Sequence, residues 1–188
     1  MRLPVYLYGH PVLRRQCDPV TPESLPDIKA TVEQMFDTMY ASEGVGLAGP
    51  QVGLPLRLAV IDADPVADTF PECAGRKFTL INPKVTVLDG PTVTRAEGCL
   101  SLPGLSENVP RVEHRLLEWT DLDGTPRSEE ISGFLARIVQ HECDHLDGNL
   151  YIDHIAMIRR QLIKSKLNNI ITGRTRCDYP VRYAPRRR

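Results

Sequence analysis

Histidines 141 and 145 stand four residues apart in the run His141-Glu142-Cys143-Asp144-His145, with a glutamate directly after the first. A helix turns about 100° per residue, so residues four apart lie one above the other on one face. Two imidazoles placed that way can hold one divalent metal. Glu142, one step around the helix, can then act on a water beside that metal. Cys143 is roughly 200° from His141 and points away. The run supplies two ligands and a base, and the third ligand has to come from elsewhere.

Two downstream sources fail. One class of His-Glu-x-x-His protease takes a later Glu, and no Glu follows Glu142 in this chain. Another extends the motif to His-Glu-x-x-His-x-x-Gly-x-x-His. Gly148 fits its glycine, but Tyr151 holds the last position and His154 comes three residues too late. Upstream, Glu97-Gly98-Cys99-Leu100-Ser101 offers Cys99. A thiolate with two imidazoles leaves a fourth position open for water, the layout of a catalytic metal. A cysteine taken alone is ordinarily a small buried hydrophobe. Gly44 to Gln51 forms a third segment. Gly44 and Gly46 allow close backbone approach, and the Gln51 amide can donate to an oxyanion. By itself that segment reads equally well as a Gly-Pro connector.

Three helical stretches would carry and surround these residues. The first, about Leu25 to Ala41, has an apolar stripe of Leu25, Ile28, Val32, Met35, Phe36 and Met39. The second, about Gly133 to Leu146, carries the metal motif and has apolar residues around much of its circumference, so it should be buried. The third is expected as one helix from an N-cap at Asp153 through Ile155, Ile158, Leu162, Leu167 and Ile171 to Gly173. Between the first two lie strand-like runs: Arg57 to Asp62, Phe78 to Ile81, Lys84 to Leu88, Thr92 to Ala96 and Val112 to Thr120. Asp89-Gly90 and Asp123-Gly124 read as hairpin turns. The expected class is α+β: mainly antiparallel sheets around a central metal-binding helix, with an N-terminal and a C-terminal helix.

The 188 residues fit one domain, and 41% hydrophobic with 25% charged residues describes a globular chain. No apolar run reaches the ~20 residues that span a bilayer. Pro4, Gly9 and Pro11 interrupt the start where a secretory peptide would be apolar, so an intracellular, cytoplasmic protein is expected. Five scattered cysteines do not make a disulfide framework. Residues 174–188 carry six arginines and one Asp, against a net charge of −1 for the whole chain. A catalytic domain over residues 1–173 and a basic C-terminal tail over 174–188 are therefore expected. Such a tail suits a polyanion such as RNA, and reads equally well as a solvated, frayed terminus.

Taken together and in order, the three segments resemble the peptide deformylase family. Its marks are Gly-x-Gly-x-Ala-Ala-x-Gln, Glu-Gly-Cys-Leu-Ser and Gln-His-Glu-x-Asp-His. This chain has GVGLAGPQ at 44–51, EGCLS at 97–101 and QHECDH at 140–145. The last two match fully, and the first departs at Gly49, where the family usually has Ala. The HPVLR run and Pro110-Arg111 are also family-like, and the resemblance extends to about Ile171.

The resemblance implies that Cys99, His141 and His145 hold one divalent metal, which would lower the pKa of a water toward ~7. Glu142 would take the proton and return it to the departing amine. The Gln51 amide and the Leu100 backbone N–H would stabilise the oxyanion. The substrate would be the N-formylmethionyl end of a nascent peptide, and the product formate. The peptide would lie as an added strand beside Val45 and Gly46, its methionine in a pocket of Gly44, Leu100, Phe134, Ile138 and His141. Ferrous iron is implied for the cell, and zinc, nickel or cobalt suit the same donors. No membrane or DNA partner is implied. The ribosome would be reached through the last helix and tail, and deleting residues 174–188 should spare peptide turnover. Arg137 is expected to face solvent, Asp144 to contact Arg111, and His10, His114 and His154 to be surface or structural residues. A zinc peptidase and an inactive ribosome-binding relative are the alternatives.

Overall fold

The computed structural model describes residues 2–185. Chain order begins with β1 (Val5–Tyr6), α1 (Leu25–Ala41), β2 (Gly46–Ala48) and β3 (Leu58–Asp62). It continues with β4 (Lys77–Val87), β5 (Thr92–Gly98), β6 (Ser106–Val112), β7 (His114–Thr120) and β8 (Pro126–Ser132). Last come α2 (Gly133–Leu146), α3 (Met157–Leu162), α4 (Lys164–Ile171) and β9 (Val181–Arg182), with short 3-10 turns between elements. β2, β3, β4, β7 and β8 form one antiparallel sheet in that order. β5 and β6 form a separate antiparallel pair, and β1 pairs with β9 in parallel.

The two long helices cover opposite faces of the large sheet. Successive side chains of a strand point to opposite faces, and β3 uses both. Leu58 and Val60 pack with Ile28, Val32, Met35 and Met39 of α1, while Ala59 and Ile61 pack with Leu135, Ala136 and Val139 of α2. Burial on both faces explains the unbroken apolar run Leu-Ala-Val-Ile. Both helices span the residues expected from their periodicity.

α2 begins without a side-chain cap from Ser132. The first N–H groups of a helix need partners from outside it. Here the Phe134 N–H donates to Glu72 Oε1 at 2.7 Å, a residue 62 positions earlier. The 3-10 turn that carries Glu72 also places Phe70 in a stack on Phe134, with ring centroids 4.0 Å apart.

Several expectations change. The third helix is not continuous and does not start at Asp153. Asp153 closes a 3-10 turn over Tyr151–Asp153, and its carboxylate accepts the Leu150 N–H at 2.8 Å. A helical break at Ile163 separates α3 from α4 and turns Ile163, Leu167 and Ile170 into the core. Ile158 and Leu162 are left 72% and 67% exposed. Asp89-Gly90 is not a hairpin turn, because β4 and β5 belong to different sheets; Asp123-Gly124 does join the paired β7 and β8. Phe78–Ile81 and Lys84–Leu88 merge into β4 across a register shift, and Val112–Thr120 divides between β6 and β7. β2, β6 and β8 have no sequence expectation to match, since their residues are mostly short, polar or charged.

The tail lies against the body as far as it is described. The Val5 N–H donates to Pro180 O at 2.9 Å and the Leu7 N–H to Arg182 O at 2.8 Å. Arg186 to Arg188 lie outside the described residues. No helix among the described residues is long and apolar enough to cross a membrane.

Candidate active site

β5 ends at Gly98, and Cys99 follows it directly opposite α2. One ligand atom each from Cys99, His141 and His145 lies within 4.8 Å of the others. Cys99 Sγ is 3.3 Å from His145 Nε2, and the two imidazole rings meet edge to face. Glu97 orients the first histidine: its Oε2 is 3.0 Å from His141 Nδ1, which turns Nε2 inward. A carboxylate behind a ligating histidine fixes both tautomer and ring angle. Tyr151, the residue standing where the extended protease motif needs a histidine, stacks on the His141 ring and is buried.

The electrostatics suit a cation. Burial opposes ionisation of the Cys99 thiol, but the neighbouring His145 and His141 outweigh it and hold it down at about 5. His141 is driven well above its usual value by Cys99 and Glu97 despite burial. The site thus pairs a thiolate with positive charge, and a divalent metal can supply that charge in place of protons. Burial pushes the Glu142 carboxyl up to about 7 against the pull of both histidines. Its Oε2 is buried with no hydrogen-bond partner among the described residues, so it is available to a water. Three soft and borderline donors with one unpartnered carboxylate oxygen fit a catalytic metal.

A cavity of about 640 Å³ opens beside this group. Gly44, Val45, Gly46, Phe134, Ile138 and Leu100 all line it, as do Gln51 and Glu142. A Cβ at Gly46 would run into the Glu142 carboxylate, so a side chain there would displace that group. Gln51 is buried, held through Oε1 by the Ala48 N–H at 2.8 Å. Its amide nitrogen faces Cys99 Sγ at 3.3 Å and Ser101 Oγ at 3.2 Å. The Leu100 N–H has no acceptor among the described residues. At Gly49, where the family usually has Ala, a Cβ would sit 2.8 Å from Leu54 O and 2.9 Å from Leu56 O, too close without movement.

Arg137 does not face solvent. It is 1% exposed. Its guanidinium donates to Glu113 Oε1 at 2.7 Å, Glu97 Oε1 at 2.7 Å, Val109 O at 2.8 Å and Val93 O at 2.8 Å. Arg111 also grips Glu97, through Nε at 2.6 Å and a terminal nitrogen at 2.9 Å. His141 and Arg111 overcome the burial penalty and hold the Glu97 carboxyl down at about 2. Helical spacing puts Arg137 near the cavity, but the acids that pull it inward come from β5 and from Glu113, which spacing along α2 does not show. Sequence reasoning assigns Glu97 no role, although its place inside the Glu-Gly-Cys-Leu-Ser run is a signal for one.

Asp144 is 2.9 Å from Arg111, as expected, and 2.8 Å from His154 Nε2. His10 accepts the Val12 N–H, and His114 sits between Asp89 and Glu130, both structural roles. Cys143 packs into the core under α2. The tail, expected to be separable from turnover, contributes Arg176, Cys177, Asp178 and Tyr179 to the cavity wall. Nothing in their sequence signals this, because the contacts come from residues about 80 positions earlier.

Residues 2–161 match the family model described as polypeptide deformylase. A peptide deformylase of Flavobacterium psychrophilum is 42% identical, with both chains covered completely. The crystal structure of a Thermus thermophilus peptide deformylase superposes with a TM-score of 0.79 at 40% identity, covering 90% of this chain and 97% of that one. The Thermotoga maritima structure gives 0.74 at 36% identity, over 83% of this chain and 99% of that one. With most of its length in the family model and full-length relatives above 30% identity, the chain belongs to the polypeptide deformylase family.

Proposed function

We propose that this chain removes the N-formyl group from newly made peptides at the Cys99–His141–His145 group, with Glu142 as the proton carrier. The observation that carries the reading is the meeting, in one cavity, of three ligand atoms within 4.8 Å and a buried, unpartnered Glu142 oxygen. A divalent metal held by the three residues would supply a Lewis acid for the formyl carbonyl and for a water. Ferrous iron is the metal proposed in the cell, and the same donors accept zinc, nickel or cobalt in a purified sample.

Glu142 takes the proton from the attacking water and delivers it to the leaving amine nitrogen. The Gln51 amide and the Leu100 N–H receive the charge that develops on the formyl oxygen. Val45 and Gly46 present backbone to an extended peptide, and Gly44, Phe134 and Ile138 receive the methionine side chain. Formate and a peptide with a free amine leave. The activity is assigned to the cytoplasm, where formylated chains emerge.

Formate release from formyl-Met-Ala-Ser by iron-loaded protein tests the reading, with acetyl-Met-Ala and an unblocked peptide as controls. Release only from the formylated peptide is expected. Equal cleavage of an unblocked peptide would replace this activity with that of a peptidase. Glu142→Ala should keep the metal and lose at least about 10²-fold in kcat. Near-normal turnover in that metal-loaded variant would remove Glu142 from its role.

The ribosome is the proposed docking partner, met by the exposed face of α3 and α4. Met157, Ile158 and Leu162 are exposed there beside Lys164 and Lys166. Reversing both lysines to Glu should weaken co-sedimentation with ribosomes severalfold and leave formate release intact. Unchanged co-sedimentation would discard this face as the contact.

A further inference from the structure

We propose that the C-terminal segment from Arg176 to Arg182 completes the substrate cleft and that Tyr179 is a positioning residue for the Leu100 backbone. The inference rests on the reading of Leu100 N–H as an oxyanion donor. The family match ends at Gln161, so this segment lies outside the part shared through that match.

Three consecutive carbonyls of the Cys99-Leu100-Ser101 turn each receive one donor. Cys99 O accepts the Leu102 N–H at 2.9 Å, Leu100 O accepts the Tyr179 hydroxyl at 2.7 Å, and Ser101 O accepts the Tyr8 N–H at 2.8 Å. A peptide group is planar, so holding a carbonyl fixes the N–H on its other side. The Cys99 carbonyl sets the direction of the Leu100 N–H, and the next two clamps stop the turn from rotating about it.

Two of the three clamps depend on the C-terminal segment. Tyr179 acts directly. Tyr8 follows β1, and β1 is held by β9 through the Val5 and Leu7 N–H groups. The segment is itself closed by the Tyr183 hydroxyl on Thr175 O at 2.9 Å. Tyr179 also packs in the same apolar cluster as Cys99 and Leu100. An oxyanion donor is useful only when its direction is set before the charge appears. The segment supplies that fixity from outside the three sequence motifs.

Tyr179→Phe in the full chain removes one oxygen and keeps the ring. On formyl-Met-Ala-Ser the expected result is a fall in kcat of about tenfold, less than direct loss of an oxyanion donor, with KM changed less than about twofold. Metal content, the urea midpoint and the thiolate-to-metal absorption of cobalt-loaded protein should match the parent, because the ligands are not moved. An unchanged kcat would overturn the proposal. So would a loss of kcat matched by loss of metal or of stability, which a purely structural role would produce. If the parent itself releases no formate, the deformylase reading falls and this inference with it.

Discussion

α2 and the C-terminal segment meet at one cavity but are assembled by different rules. α2 is organised locally. Its ligands stand four residues apart, its base lies between them, and its apolar residues recur at helical spacing into the core under the sheet. The segment from Tyr151 to Arg182 is held from far away: Arg14 pairs with Asp153, Glu107 with Arg159, Leu7 with Arg182 and Leu100 with Tyr179. Two of the three ligands and the base are therefore written in one short stretch of chain. The precision of the cavity walls depends on contacts between residues far apart in the sequence.

The comparison breaks most sharply at Arg137, a residue of α2 whose side chain finds all four of its partners outside that helix. Removing one partner of a buried pair leaves an uncompensated charge and costs about 3–5 kcal/mol. Arg137→Leu should lower stability by that amount, read as a urea midpoint shift at constant slope. It strands Glu97, although Arg111 still holds that acid, and strands Glu113 beside the partly exposed Arg95. An unshifted midpoint would mean that the buried network does not support α2.

What can be read in advance follows the same division. α1 carries one apolar stripe along its length and α2 is apolar around much of its circumference, and in both the apolar residues recur at helical spacing, so periodicity finds them. β3 is recognisable because both its faces are buried. β8 is not, because Pro126–Ser132 buries only Ile131 fully and its other residues are a proline and five polar or charged side chains. Cys99 becomes a candidate once no downstream ligand is found, and the resemblance of three ordered segments is what selects it. Glu97, two residues before it, is invisible as a partner of His141 until β5 is laid beside α2. Arg137 reads as solvent-facing because an arginine on a helix is ordinarily at the surface. Only the acids arriving from other strands reverse that preference.

Asp153 tests how the C-terminal segment is tied down. Burial opposes its ionisation, but Arg14, the Leu150 N–H and Arg160 hold its carboxyl below the usual 3.8. A carboxyl lowered on folding stabilises the fold above its unfolded value and loses that contribution as pH falls through the folded value. Asp153→Asn should cost about 1 kcal/mol at neutral pH. The gap between parent and variant should begin to close below about pH 4 and keep closing under further acid. A gap that is constant between about pH 7 and pH 3 would show that the ionised form is not what holds the turn.

The smallest expected effect separates the two faces of the broken helix. A continuous helix through residues 153–173 would bury Ile158 and Leu162 along one stripe. The observed break buries Ile163 to 5% exposure, among Leu167 and Ile170, and leaves Ile158 at 72%. Ile→Val deletes one methylene, which costs about 1 kcal/mol in a packed core and almost nothing at the surface. Ile163→Val should therefore lower stability by about 1 kcal/mol and Ile158→Val by less than about 0.5 kcal/mol. The two changes are chemically identical and five residues apart, so helix propensity and unfolded-state effects nearly cancel between them. The remaining difference reports burial. A larger loss at Ile158 than at Ile163 would restore the unbroken stripe, and equal losses would mean that burial does not distinguish the two positions.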